Sequence, residues 1–179
     1  MTDIADDAPP TTRKDESSDH SESAVAVTIG RPAAELYDYF RDFSKLPSFM
    51  ENVVRVDVLD DRRSHWVVKA PAGKTVEWDA TVTAEEPGRA IAWQSDPGAD
   101  VENMGRIEFV EAGARGTVVT ATIAYDPPAG GLGKLVAKLF QREPAIQARR
   151  DLRRFKQLME TGEVATAAMT LAQHEKEDR

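Results

Sequence analysis

The chain has 179 residues, 41% of them hydrophobic and 30% charged, with a formal net charge of −8 and no cysteine. That length suits one domain with a single core, and the acidic balance argues against nucleic acid as the default partner. Without cysteine there are no disulfides, thiolate metal sites or cysteine nucleophile, and a reducing cytoplasmic location is expected.

Residues 1–23 are rich in Asp, Ser, Thr and Pro and hold almost no large apolar side chains. They are expected to form a disordered acidic tail, because they cannot bury enough surface to offset chain entropy. The acidic start also lacks the basic-then-apolar order of a signal peptide, and no apolar run approaches the roughly 20 residues of a spanning helix. The folded domain is expected over 24–162. It opens with a β run, Ala24 to Ile29, closed by Gly30. Pro32 suits a first helical position, and Ala33, Leu36, Tyr37 and Phe40 follow at helical spacing. A second helical piece, Phe43 to Met50, contains Pro47 and is expected to be irregular, with Phe49 and Met50 exposed.

The period then becomes two. Val54, Val56 and Val58 alternate with Arg55 and Asp57, and Ser64, Trp66, Val68 and Ala70 with His65 and Lys69. Val76, Trp78, Ala80 and Val82 follow, then Ile91, Trp93 and Ser95, then Gly105, Ile107 and Phe109, then Val119, Ala121, Ile123 and Tyr125. One apolar face per strand marks a sheet covered on one side only. Turn signals such as Glu86-Pro-Gly88 and Asp96-Pro-Gly98 separate the runs and favour antiparallel neighbours. With the first strand, seven strands are expected.

Pro144 should break the following helical stretch, leaving an upper helix near Leu132 to Gln141 and a main helix near Glu143 to Thr161. Ala145, Ala148, Leu152, Phe155 and Met159 form one stripe of the main helix, and Gly162 is a plausible left-handed stop. Residues 163–179 are expected to be a flexible tail. A sheet cannot cover its own apolar face, so the C-terminal helix must lie across it. The fold class is therefore α+β, a curved antiparallel sheet wrapped over a long C-terminal helix, with two short helices after the first strand.

Little in the chain suits catalysis. His20 and His174 lie in the expected tails, and His65 has the strand parity of the solvent face, so a Ser/His/Asp set or a histidine metal site lacks material. Asp57, Glu77 and Asp79 share that polar face, where nothing raises a carboxyl pKa. Gly130-Gly131-Leu132-Gly133-Lys134 lacks the spacing of a phosphate loop. No catalytic residue, metal or cofactor is assigned.

The segments Phe40 to Met50, Ser64-His-Trp66, Val76-Glu-Trp78, Ile91-Ala-Trp93, Gly116-Thr117, Tyr125-Asp-Pro-Pro128 and Asp151-Leu-Arg-Arg-Phe-Lys156 resemble the START-like (SRPBCC) superfamily. The likeness is to its polyketide cyclase/dehydrase and coenzyme Q-binding types. It implies a helix-grip fold enclosing an apolar cavity; with a one-sided apolar sheet and no catalytic set, the expected function is non-catalytic binding or transport of a quinone, isoprenoid or acyl lipid. The expected ligand wall is Trp66, Trp78, Trp93, Ile107, Val119, Ile123, Tyr125 and Phe155, entered past Phe49, Met50, Leu132 and Val136. An empty void of about 300 Å³ would cost roughly 7 kcal/mol, so a large cavity should be occupied, water-filled or collapsible. Ala80, Gly105 and Ala121 would leave room for it.

Two other readings stand beside this one. Ser64, Ser95 and Tyr125 would supply the polar contacts of an aromatic cyclase or dehydratase. Alternatively, Lys134, Lys138, Arg142, Arg149, Arg150, Arg153, Arg154 and Lys156, against only Glu143, Asp151 and Glu160, make one basic segment in an acidic protein. It suits a solvated face, an anionic membrane surface or an acidic protein partner. The oligomeric expectation is a monomer or homodimer.

Overall fold

In the computed structural model, the described residues are 11–14, 21–99, 101–126 and 144–164. Strands β1 (Thr11–Lys14) and β2 (Ser21–Ile29) precede helix α1 (Ala33–Arg41) and a 3₁₀ turn (Phe43–Ser48). Strands β3 (Val53–Val58), β4 (Arg63–Lys69), β5 (Thr75–Glu86), β6 (Ala90–Ser95), β7 (Glu102–Glu111) and β8 (Thr117–Asp126) follow, and α2 (Pro144–Thr161) ends the order. All neighbouring strands pair antiparallel in one sheet, ordered β1-β2-β8-β7-β6-β5-β4-β3. This is the expected helix-grip arrangement.

Two departures concern the sheet's edges. The tail expected to be unstructured supplies β1, which pairs Thr11–Lys14 with Ser21–Ala24 and starts β2 three residues earlier than expected. Backbone groups along the free edge of β2 need partners, and the β1 backbone supplies them over Ser21–Ala24. At the other edge only Val56 of the alternating valines is buried, while Val54 and Val58 are about half exposed. Among the described strands β3 pairs only with β4, and its register shifts between Val53 and Arg55. An edge strand with a bulge has less to pack against.

The core is where α1, the 3₁₀ turn and α2 meet the concave face. Leu36, Tyr37 and Phe40 of α1 are buried as their spacing predicts. On α2, Ala145, Ala148, Leu152 and Phe155 face inward. Pro144 opens this helix, and Gly162 stops it with φ of 81° and its N–H donating to Leu158 O (2.8 Å). A left-handed glycine releases the chain there without a Cβ clash. Near the same end, Glu160 accepts the Gly30 N–H (2.7 Å) and Arg31 donates to Met159 O (2.9 Å), which ties α2 to the β2–α1 link.

Phe49 corrects an expectation. It is fully buried, its ring 4.6 Å from that of Phe155, with Phe40 at 6.0 Å and Tyr39 at 6.5 Å. The proline-broken segment turns this ring inward because burying an aromatic side chain, with tilted ring contacts, outweighs leaving it in water. Phe49 therefore belongs to the core and does not form an entrance.

Candidate functional site

A cavity of about 480 Å³ separates the concave face of the sheet from the first turns of α2. Trp66 on β4, Trp78 on β5 and Trp93 on β6 line it, and they are the only tryptophans in the chain. Period-two alternation puts the three on one face, and antiparallel register sets Trp66 directly opposite Trp78. The rings form a near-parallel series, Trp66–Trp78 at 6.3 Å and 8°, and Trp66–Trp93 at 6.4 Å and 13°. Val53, Val68 and Ile123 extend the apolar wall.

The wall depends on Gly105. A Cβ there would overlap the six-membered ring of Trp93, which lies directly against the strand. Gly105 borders the cavity as expected, with the Trp93 ring seated against its backbone. Gly105→Ala should cost about 1–3 kcal/mol through overpacking and displace the ring, read as a lower urea midpoint together with a shifted tryptophan emission. An unchanged emission and midpoint would show that the ring is not held there.

Polar groups gather at the cavity rim. Glu51 and Asn52 follow the 3₁₀ turn, Lys69 ends β4, Asn103 sits on β7, and α2 contributes Gln147, Arg150 and Asp151. Asp151 Oδ1 accepts the Glu51 N–H (3.2 Å) and the Gln147 Nε2–H (3.0 Å). Burial pushes its carboxyl up to about 6, against the lowering effect of these two donors and of Arg154. A buried indole N–H, Trp78 Nε1, has no hydrogen-bond partner.

The expected ligand residues divide into two groups. Trp66, Trp78, Trp93 and Ile123 line the cavity, as does Met50 from the expected entrance. Ile107, Val119 and Phe155 are wholly buried in the packed core and are not among the described lining residues. Tyr125 is placed by backbone pairing with Asn103, but its side chain, with Leu132, Val136 and the upper helix, lies outside the described residues. Ser64 and Ser95, the polar contacts of the cyclase reading, serve the sheet. Ser64 Oγ accepts the Trp66 indole N–H (2.9 Å), and Ser95 Oγ accepts the Asn103 N–H (3.0 Å).

Sequence reasoning missed Asp151. Its position beside Leu152 on an amphipathic helix reads as solvent-facing, and only contact with the residue-51 loop reveals its burial. A carboxylate one step from an inward stripe was the available signal.

His65 stands on the other face of the sheet between Asp79 (2.6 Å) and Glu77 (3.3 Å). These carboxylates raise its pKa above the ordinary histidine value, chiefly through the Asp79 hydrogen bond. Among the described residues no cluster of three or more His, Cys, Asp or Glu could hold a metal, and no helix is long and apolar enough to cross a membrane.

Residues 29–153 match the family described as polyketide cyclase/dehydrase and lipid transport. A protein of solved structure from Deinococcus radiodurans is 47% identical, over 78% of this chain and 96% of that one, with a TM-score of 0.64. One from Thermus thermophilus is 23% identical, covering 77% and 93%, at 0.57. The Zhui aromatase/cyclase from a Streptomyces species is 16% identical, covering 82% and 98%, at 0.61. At those last two identities the likeness is one of fold. No curated protein matches the chain. The matched segment runs from the end of β2 into α2 and so takes in every described residue that lines the cavity, and the chain belongs to the polyketide cyclase/dehydrase and lipid transport family of the START-like superfamily.

Proposed function

We propose that this protein binds an apolar small molecule or lipid, of the quinone, isoprenoid or acyl-lipid class, between its sheet and α2 without transforming it. The observation that carries the reading is the tryptophan-walled cavity of about 480 Å³. That size falls within the range of pockets that enclose drug-sized ligands. Water inside it meets few polar partners along the tryptophan wall, so an apolar guest gains about 25 cal/mol for each Å² it removes from water. The lipid-transport part of the family description supports the same reading.

The tryptophans make the test direct. Since all three line the cavity, a guest should change intrinsic fluorescence saturably, and gentle native mass spectrometry of purified protein should release a hydrophobic species. Protein that releases nothing and keeps its fluorescence through titration with quinone, isoprenoid and acyl-chain probes would end the proposal.

A second reading, an aromatic cyclase or dehydratase, is favoured by one observation. Asp151 is a cavity-rim carboxyl held near 6, which suits proton transfer close to neutral pH. On that reading Asp151→Asn abolishes turnover of an aromatisable polyketide while retaining its binding. The basic-helix reading has less support, because Arg149, Arg153 and Lys156 each take part in interactions of their own.

A further inference from the structure

Resting on the container reading above, we infer that the bound molecule is an amphiphile whose anionic head is held at the rim by Lys69 and Arg150, where it displaces the side chain of Glu51. Lys69 reaches the rim from β4 and Arg150 from α2, and both line the cavity whose far wall is tryptophan. They converge on one residue. Lys69 Nζ donates to Glu51 O (3.0 Å), and Arg150 Nη1 approaches Glu51 Oε2 (3.4 Å). Arg154 adds a third cation, its Nη1 3.9 Å from the same carboxylate oxygen.

The Glu51 carboxylate therefore faces two guanidinium groups, with the Lys69 ammonium on the backbone carbonyl of the same residue, and it is held weakly. Both arginine distances exceed those of a good charge-assisted bond, and Arg150 and Glu51 are about half and two-fifths exposed. Exposed pairs of this kind contribute little stability, so an incoming carboxylate, sulfate or phosphate group can replace Glu51 at little cost. The other rim acid, Asp151, is already engaged by the Glu51 N–H and Gln147. The first of those bonds uses the Glu51 backbone and the second does not involve Glu51, so the Glu51 side chain can swing away without breaking either. A head anchored at the rim would leave its apolar body against Trp66, Trp78 and Trp93.

The test uses a matched pair, tetradecanoate and tetradecanol, titrated into the full chain and read by tryptophan fluorescence and calorimetry. The acid should bind at least about tenfold more tightly than the alcohol. Glu51→Gln removes the competing carboxylate, so it should tighten the acid several-fold and leave the alcohol unchanged. Lys69→Gln combined with Arg150→Gln should erase the preference for the acid while the alcohol binds as before. Equal affinity for the two, or a preference that survives the double substitution, overturns the head-group inference and leaves the container reading standing. Binding of neither overturns the head-group inference, while the container reading stands or falls on the quinone and isoprenoid titrations. Urea midpoints of the variants separate a lost contact from a lost fold, and a variant pair that stays folded yet fails to shift the preference also counts against the inference.

Discussion

Phe155→Ala is expected to lower the stability of the folded domain by about 3–5 kcal/mol. The side chain is wholly buried on the inner stripe of α2. Its ring lies 4.6 Å from Phe49 and 6.0 Å from both Tyr39 and Phe40, which joins the helix to the 3₁₀ turn and α1 at one point. Truncation removes transfer energy and leaves a void that the surrounding rings, held by one another, fill only in part. Against a typical domain stability of about 5–15 kcal/mol, the variant should unfold at a much lower urea concentration with an unchanged slope. A loss below about 1 kcal/mol would mean that α2 is not held on the sheet by this cluster. Because the cavity lies nearer the N-terminal end of α2, folded protein at low temperature should still bind an apolar probe.

Asp151→Asn is expected to act in the opposite direction. The folded carboxyl titrates near 6, against an ordinary value of 3.8, because burial disfavours its ionised form. A folded-state pKa above the unfolded one means that the native protein holds its proton more tightly between those pH values. The stability associated with that proton is fully present below about 4 and is lost as pH rises through about 6. By neutral pH the ionised carboxylate costs the fold about 3 kcal/mol. Asparagine keeps an oxygen to accept the Glu51 and Gln147 N–H groups and carries no charge. The variant should therefore match the parent near pH 4 and exceed it by up to about that amount at pH 7–8, measured by urea unfolding across the range. A difference independent of pH would show that the carboxyl is not buried in solution. Retention of a destabilising acid at a cavity rim is the pattern expected where a group serves binding or chemistry and not the fold.

The readable part of the site is the part set by local period. Trp66, Trp78, Trp93 and Ile123 share strand parity, and a sheet with one covered face must put them together. Ile107, Val119 and Phe155 share the same parity or stripe and still lie in the packed core. Parity tells which side of a sheet a residue occupies; it does not tell how far along the curved sheet the helix stays in contact. That separation arises where the cavity lies against the first turns of α2, a matter of packing between elements distant in sequence. Phe49 failed for a related reason. A proline-broken segment has no period to read, and its aromatic ring turns toward Phe155, more than a hundred residues later in the chain. Gly105 borders the cavity, as a small residue on the inner face should, but that its missing Cβ also admits the Trp93 ring is a fact of packing and not of pattern.

Alternation, turn residues and the single amphipathic C-terminal helix were enough to dictate an antiparallel sheet over a helix, since each is a local consequence of side-chain direction and of the need to cover apolar surface. Tertiary structure alone decided that a gap remains between them, that Glu51, Lys69, Arg150 and Asp151 meet at its rim, and that a residue pair as remote as Phe49 and Phe155 closes the core. Those outcomes depend on distances between segments far apart in the chain, which no periodicity encodes.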